Sequence, residues 1–305
     1  MNTIKFYLFI LLHIFLVASA SGQSSGLTKD KITIAFYGDY HQENTRWSIA
    51  GNSDGQNPNV LSELQWKNLK QRGAGMDVKV DILHGIFFSG SYHRAKIYAG
   101  NVTDTDYGQD NRMSPTYQFN AESNRGHTSS YFAGLGYALK LYRALVISPY
   151  AGYGRTRQFL FINDSNTTSS AGELSLNSTY QTNWSGPLAG LTVKTAMNNT
   201  IVVQADLSYL QSVYTGVADW NLIDAFAHPV SFRHLANGYQ SNISLQVNFQ
   251  LLAGFSVFIK GDYRYAETGI GTDQLYLDDG RKLQSQFNGI VSTYKGFGLG
   301  ISYTP

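Results

Sequence analysis

Alternation with a period of two runs through most of this chain, and it limits the fold more than any other feature. Met76, Val78, Val80 and Ile82 alternate with Asp77, Lys79 and Asp81. Ala95, Ile97 and Ala99 alternate with Arg94, Lys96 and Tyr98. Leu135, Tyr137, Leu139 and Leu141 alternate with Gly134, Gly136, Ala138 and Lys140. Similar alternation returns at 201–208, 243–250, 257–264 and 297–303. Successive side chains on a strand point to opposite faces, so each segment has one apolar and one polar face.

A β-sandwich would also alternate. Two features favour a membrane barrel. The polar face carries Arg, Lys and Asp in mid-strand, as a wet or salt-bridged lumen allows. The connections alternate in length. Short ones fall near His84-Gly85, Arg143-Ala144, Asn198-Asn199 and Ala253-Gly254, and long polar ones at about 40–60, 102–127, 160–182, 217–238 and 272–286. Short periplasmic turns and long extracellular loops are how outer-membrane barrels are built. The spacing predicts an all-β fold: a ten-stranded antiparallel transmembrane β-barrel. Its strands lie near 31–40, 62–83, 86–104, 128–142, 145–161, 181–197, 200–216, 239–252, 255–271 and 287–303. Composition agrees, since charged residues reach only 14% and tyrosine (21) outnumbers phenylalanine (17). Asp77, Lys79, Asp81, Arg94, Lys96, Lys140, Lys194, Asp206, Lys260, Asp262 and Arg264 are assigned to the lumen. Two readings of them stay open: a channel lining, or a mutually neutralising network that closes a narrow barrel.

The N-terminal segment has Lys5, an apolar run from Phe6 to Val17, and the small-x-small site Ala18-Ser19-Ala20. It reads as a cleaved secretory signal over residues 1–20, followed by one barrel over 21–305. The run is short for a membrane-spanning helix. The chain has no cysteine, which excludes disulfides and a lipidated cysteine, and a formal charge of +2, which argues against a nucleic-acid partner. No phosphate-binding loop, Gly-x-Ser-x-Gly or zinc spacing occurs, and no cofactor is expected. His84, His93 and His127 have no partner at ligand spacing and read as structural or exposed.

Five stretches carry a family resemblance. "LSELQWK" (61–67), "GNVTDTDYG" (100–108), "YAGYGRTRQF" (150–159), "GPLAGLT" (186–192) and "GLGISYT" (298–304) resemble the omptins, outer-membrane surface proteases of Gram-negative bacteria. The resemblance covers nearly all of the mature chain. It implies water activation by an Asp-x-Asp at the top of the third strand, facing an Asp-x-His across a cleft. Asp104 and Asp106 match the first pair. Their parity, shared with Arg94 and Lys96, turns them inward. No Asp-x-His stands in "GVADWNLIDAFAHPVSFRHLANG" (216–238). His228 is the nearest imidazole, with Asp219 or Asp224 to orient it. Arg46 falls near the position of an acidic specificity residue, and Glu43 is offset. The family also holds a lipopolysaccharide phosphate on outward arginines, and Arg157 matches one of these, with Arg155 of the same parity.

Three readings of Asp104 and Asp106 stay open. They form a catalytic pair, or with Asp110 part of a calcium loop that lacks its glycine and glutamate, or an inherited polar rim. The expected function is accordingly a surface endopeptidase at the outer membrane with lipopolysaccharide as partner and possible requirement. The alternatives are a non-catalytic barrel whose loops bind a peptide or host-surface ligand, and a small-solute channel.

Overall fold

The computed structural model describes residues 32–142, 144–163 and 175–305. The expected signal segment at 1–20, Arg143 and residues 164–174 of the expected 162–178 loop lie outside them. The strands are β1 (Ile32–Ile49), β2 (Ser62–Leu83), β3 (Ile86–Gln109), β4 (Met113–Glu122), β5 (Gly126–Tyr137), β6 (Leu139–Tyr142) and β7 (Leu145–Asn163). They continue as β8 (Asn177–Ala196), β9 (Ile201–Asp219), β10 (Phe232–Leu252), β11 (Phe255–Thr268), β12 (Gly271–Tyr276) and β13 (Lys282–Tyr303).

These thirteen segments make a closed ring of ten strands. β4, β5 and β6 together fill one place between β3 and β7. β11 and β12 share another, between β10 and β13. β13 pairs antiparallel with β1 and closes the ring. A closed ring leaves no unpaired edge, which a strand in lipid requires. The expected architecture is therefore present, with one correction to the loops. Much of the polar sequence at 40–60, 102–127 and 272–286 is strand. β1 runs on to Ile49, β3 turns into β4 through a short tip at Asp110–Arg112, and β12 turns into β13. The barrel stands tall above its membrane zone because these hairpins extend its wall.

The outward face carries a belt of apolar side chains. Phe36, Met76, Phe88, Leu135, Leu207, Leu245, Ile259, Leu299 and Ile301 are all exposed. A continuous band of this kind meets lipid, not water. Tyr92, Tyr131, Tyr153, Tyr209 and Tyr263 are also exposed, as the aromatic residues of an interfacial girdle are.

The interior has two parts. The lower part is a cavity of about 1410 Å³ lined by polar groups including Asp77, Lys79, Asp81, Lys140, Lys194, Asp206, Lys260, Asp262 and Arg264. The upper part is packed solid. Trp47, Leu64, Trp66, Leu69, Ile97, Leu160, Tyr180, Trp184, Tyr214, Phe232, Phe287 and Ile290 form one buried cluster. Between them sits the buried Glu43, whose carboxylate accepts hydrogen bonds from Ser292 (2.6 Å), Gln158 (2.8 Å) and Gln71 (3.1 Å). The interior is thus a blind cavity beneath an aromatic plug, and the network reading of the inward charges fits it better than a conduit.

Two of the charges assigned to the lumen are not there. Ala95 and Ile97 are the buried residues of this part of β3, while Arg94 and Lys96 are exposed on the outer face. The period of two was visible at 94–99, but its polarity is reversed: the plug needs apolar side chains inside at this height.

Candidate active site

Asp104 and Asp106 do face inward, for a reason that parity alone misses. A bulge shifts the β2–β3 register between Lys67 and Gln71, opposite Ile97 to Asn101. Asn68 takes a left-handed φ of 55° there, a conformation asparagine tolerates. Gly100 is required beside it, since a Cβ would lie 2.7 Å from Leu69 Cδ2. Below the bulge the odd residues Ala95 and Ile97 point inward, and above it the even residue Val102 does. Asp104 follows Val102 and pairs with the buried Leu64. Two errors in the sequence reading cancel.

The Ser62 hydroxyl donates to Asp104 Oδ1 at 3.3 Å. Burial in this apolar setting, and then the neighbouring Asp106, push the Asp104 carboxyl up to about 7. The same two carboxylates, after burial, raise the Tyr117 phenol. Asp110 does not join them. It sits on the hairpin tip, where its Oδ1 accepts the Asn59 backbone N–H at 2.7 Å. The calcium-loop reading has no geometric support.

The proposed partner group is formed in part. His228 Nδ1 lies 2.6 Å from Asp219 Oδ1, so Asp219 orients this imidazole. Asp224 is exposed elsewhere in the same loop. Asn221, between them, ties the loop to β8, its Oδ1 accepting from the Asn177 backbone N–H (2.9 Å) and the Ser178 hydroxyl (3.1 Å).

Height and facing decide whether the two groups can cooperate. Followed from Ala95 through neighbouring pairs, the hydrogen-bonded row reaches His234 one way round the ring and Gln246 the other. This displacement of about twelve residues is the barrel's shear, roughly one residue per strand. Allowing for it and for the bulge brings Asp219 about level with Asp104, four strands away in a ring of ten. The facing is wrong, however. On β9 the buried inward residues are Leu210, Ser212, Tyr214, Gly216 and Ala218. Asp219 has the opposite parity, as exposed Val213 has. The Asp219–His228 pair therefore stands on the outer surface of the wall. The interior surface across from Asp104 presents Ala218, Phe232 and Tyr180 instead.

On β10 the inward imidazole is His234. It is 0% exposed and wedged between Phe287 (ring centroids 4.2 Å apart) and Trp47 (4.6 Å). Tyr180 Oη lies 2.8 Å from its Nδ1, and Asp273 Oδ1 3.3 Å from its Nε2. Fully buried among these rings, it belongs to the core.

Arg155 and Arg157 lie on the outward face of β7, as expected. Arg155 Nε donates to Asn183 Oδ1, and Arg157 is exposed. Arg46 is exposed on the outer wall and Glu43 is buried, so neither lines a specificity pocket.

A closed, lipid-belted antiparallel ring of ten strands defines an outer-membrane β-barrel protein, located in the outer membrane. Residues 35–303 match the family model described as Pom, Protochlamydia outer membrane protein, and the chain belongs to that family. No curated protein matches the sequence significantly. Among solved structures, the outer membrane protease OmpT from Escherichia coli superposes with a TM-score of 0.69 at 12% identity, over 94% of this chain and 100% of that one. That likeness establishes the fold alone. The translocator domain of the autotransporter NalP from Neisseria meningitidis aligns over 99% of this chain and 96% of its own, at 9% identity and a TM-score of 0.38, too low to carry an argument.

Proposed function

We propose that the chain is a closed, non-catalytic surface barrel whose extracellular rim binds a protein ligand. The observation that carries this reading is the outward facing of Asp219 and His228. General acid–base catalysis needs the base within hydrogen-bond reach of the water it activates. Here the wall of β9 separates the imidazole from the Asp104/Asp106 pair. The two aspartates are then a polar rim on top of the plug. Exposed apolar side chains at the rim favour binding: Leu61, Met113, Tyr117, Leu222 and Ile223. Such residues, set among polar ones, mark protein contact sites. Conduction is disfavoured by the same plug.

The chain has no cysteine of its own, so single introduced thiols report facing. A membrane-impermeant maleimide applied to the folded barrel labels Asp219→Cys and spares Ala218→Cys. Labelling of Ala218→Cys with protection of Asp219→Cys would turn the dyad into the cleft and restore the endopeptidase reading.

The wall also supports a lipopolysaccharide contact. Arg94 pairs with Ser129, which pairs with Arg157, so both arginines stand on one outward row. Lys96 and Arg72 are paired neighbours on the same face, above the exposed Tyr92. Guanidinium and ammonium groups just above an aromatic girdle fit lipid phosphates. Arg157→Ala lowers the lipopolysaccharide that co-purifies with the barrel, and Arg94→Ala/Arg157→Ala lowers it further; unchanged lipid content would reject the contact.

A further inference from the structure

We infer that the upper end of the lumen holds a first-row divalent metal ion on Asp39, His41 and His93. The three side chains offer one ligand atom each, and those atoms lie within 4.8 Å of one another. Asp39 and His41 are two apart on β1, so they share its inward face. His93 comes from β3, one strand beyond β2. Its Nε2 lies 2.8 Å from Asp39 Oδ2, while His41 Nδ1 is 3.6 Å from Asp39 Oδ1.

Burial makes this cluster more than an ion pair. The His41 side chain is 0% exposed, and neither ring nitrogen has a hydrogen-bond partner among the described residues. Asp39 Oδ1 is likewise buried without one. Buried polar groups are otherwise almost always satisfied, so unpaired lone pairs converging on one point imply an electrophile there. Two imidazoles and a carboxylate are the donor set of zinc and of its first-row neighbours. Ligand atoms around such an ion stand roughly 3–4 Å apart, so the cluster needs to close by only about 1 Å.

The backbone is shaped for the cluster. Gly73 of β2 lies between Asp39 and Ala95 in the row. A Cβ there would sit 2.5 Å from both Asp39 Oδ1 and His93 Nε2. Glycine is what lets a β1 carboxylate meet a β3 imidazole across an intervening strand. The neighbouring cations are held elsewhere: Lys260 lies over the Tyr37 ring and beside Asp262, and Arg264 lies over Tyr294. An entry path exists, because all three ligands line the cavity that also reaches His84, Asn198 and Gly254 at the short turns. The ion would tie β1 to β3 and enter from the periplasmic side.

Cobalt(II) is the probe, because its visible bands report the ligand set. Untagged barrel in detergent is loaded, desalted and assayed for metal content and spectrum. The expected result is one cobalt per chain with ligand-field bands, displaced by zinc. Retention falls at least tenfold in His93→Ala and in Gly73→Ala, which keeps every ligand but fills their meeting place. It is unchanged in His127→Ala, whose side chain lies outside the barrel. Folded wild-type barrel that keeps neither cobalt nor zinc overturns the proposal, whatever the variants do. So does equal retention in folded His93→Ala, which would leave Asp39 and His93 as an ion pair.

Discussion

Replacing Asp106 with asparagine isolates the electrostatic part of the Asp104 environment. Carboxylates two residues apart on one face of a strand are roughly 6–7 Å apart. At an effective dielectric of about 20–40, their repulsion is on the order of 1–2.5 kcal/mol, or about one to two pKa units. Burial is the larger cause of the raised value near 7, and it remains in the variant. Asp106→Asn should therefore bring the Asp104 midpoint down to roughly 5–6, not to the ordinary 3.8. Infrared titration of the protonated carboxyl band between pH 4 and 8 reads this, with Asp104→Asn to assign the band. A midpoint unmoved by Asp106→Asn would show that the two groups do not interact. A midpoint below 4 would show that burial is not the main cause. A carboxyl whose folded value lies above its unfolded value favours the protonated state on folding. Its contribution is complete below about 3.8 and is lost as pH rises through about 7. The denaturation midpoint of the wild type should fall from about pH 4 to about pH 7 and level off above, and Asp104→Asn should remove that part of the slope.

Two further perturbations test the walls and the plug. Leu245→Lys puts a charge on the lipid face, where it costs about 2–4 kcal/mol near the midplane and should impair assembly, while Gln246→Lys faces the lumen and should not; equal assembly yields would refute the register. Phe287→Ala removes a fully buried ring stacked on Tyr214 and His234, and should cost about 3–5 kcal/mol in chemical denaturation; a loss below 1 kcal/mol would mean that the upper barrel is not packed as described.

The barrel was legible because lipid outside and water inside impose alternation on every strand that crosses. The β3–β4 hairpin was not, because beyond the plug both faces of a strand meet water and the alternation fades. Met113 to Glu122 shows this, being mostly exposed strand with no clear period. Arg94 and Lys96 were misassigned because parity separates two faces without saying which is inside. Asp104 and Asp106 were placed correctly only because the bulge at Tyr98–Gly100 reversed that error. Asp219 and His228 were brought together by a loop, as the sequence allowed, yet their facing depends on the phase of β9 against the plug. The Asp39/His41/His93 cluster had one signal, the Asp-x-His spacing of "DYH" at 39–41. His93 looked solitary because its partners lie two strands away, across a glycine.

Cleavage of an unbiased peptide mixture by lipopolysaccharide-reconstituted barrel, followed by mass spectrometry from pH 5 to 9, shows whether the rim hydrolyses peptides. The outward Asp219–His228 pair and the filled mouth predict no new termini above those of Asp104→Ala/His228→Ala. New termini made by the wild type and abolished in that double variant would contradict the account and establish a working hydrolytic site at the rim.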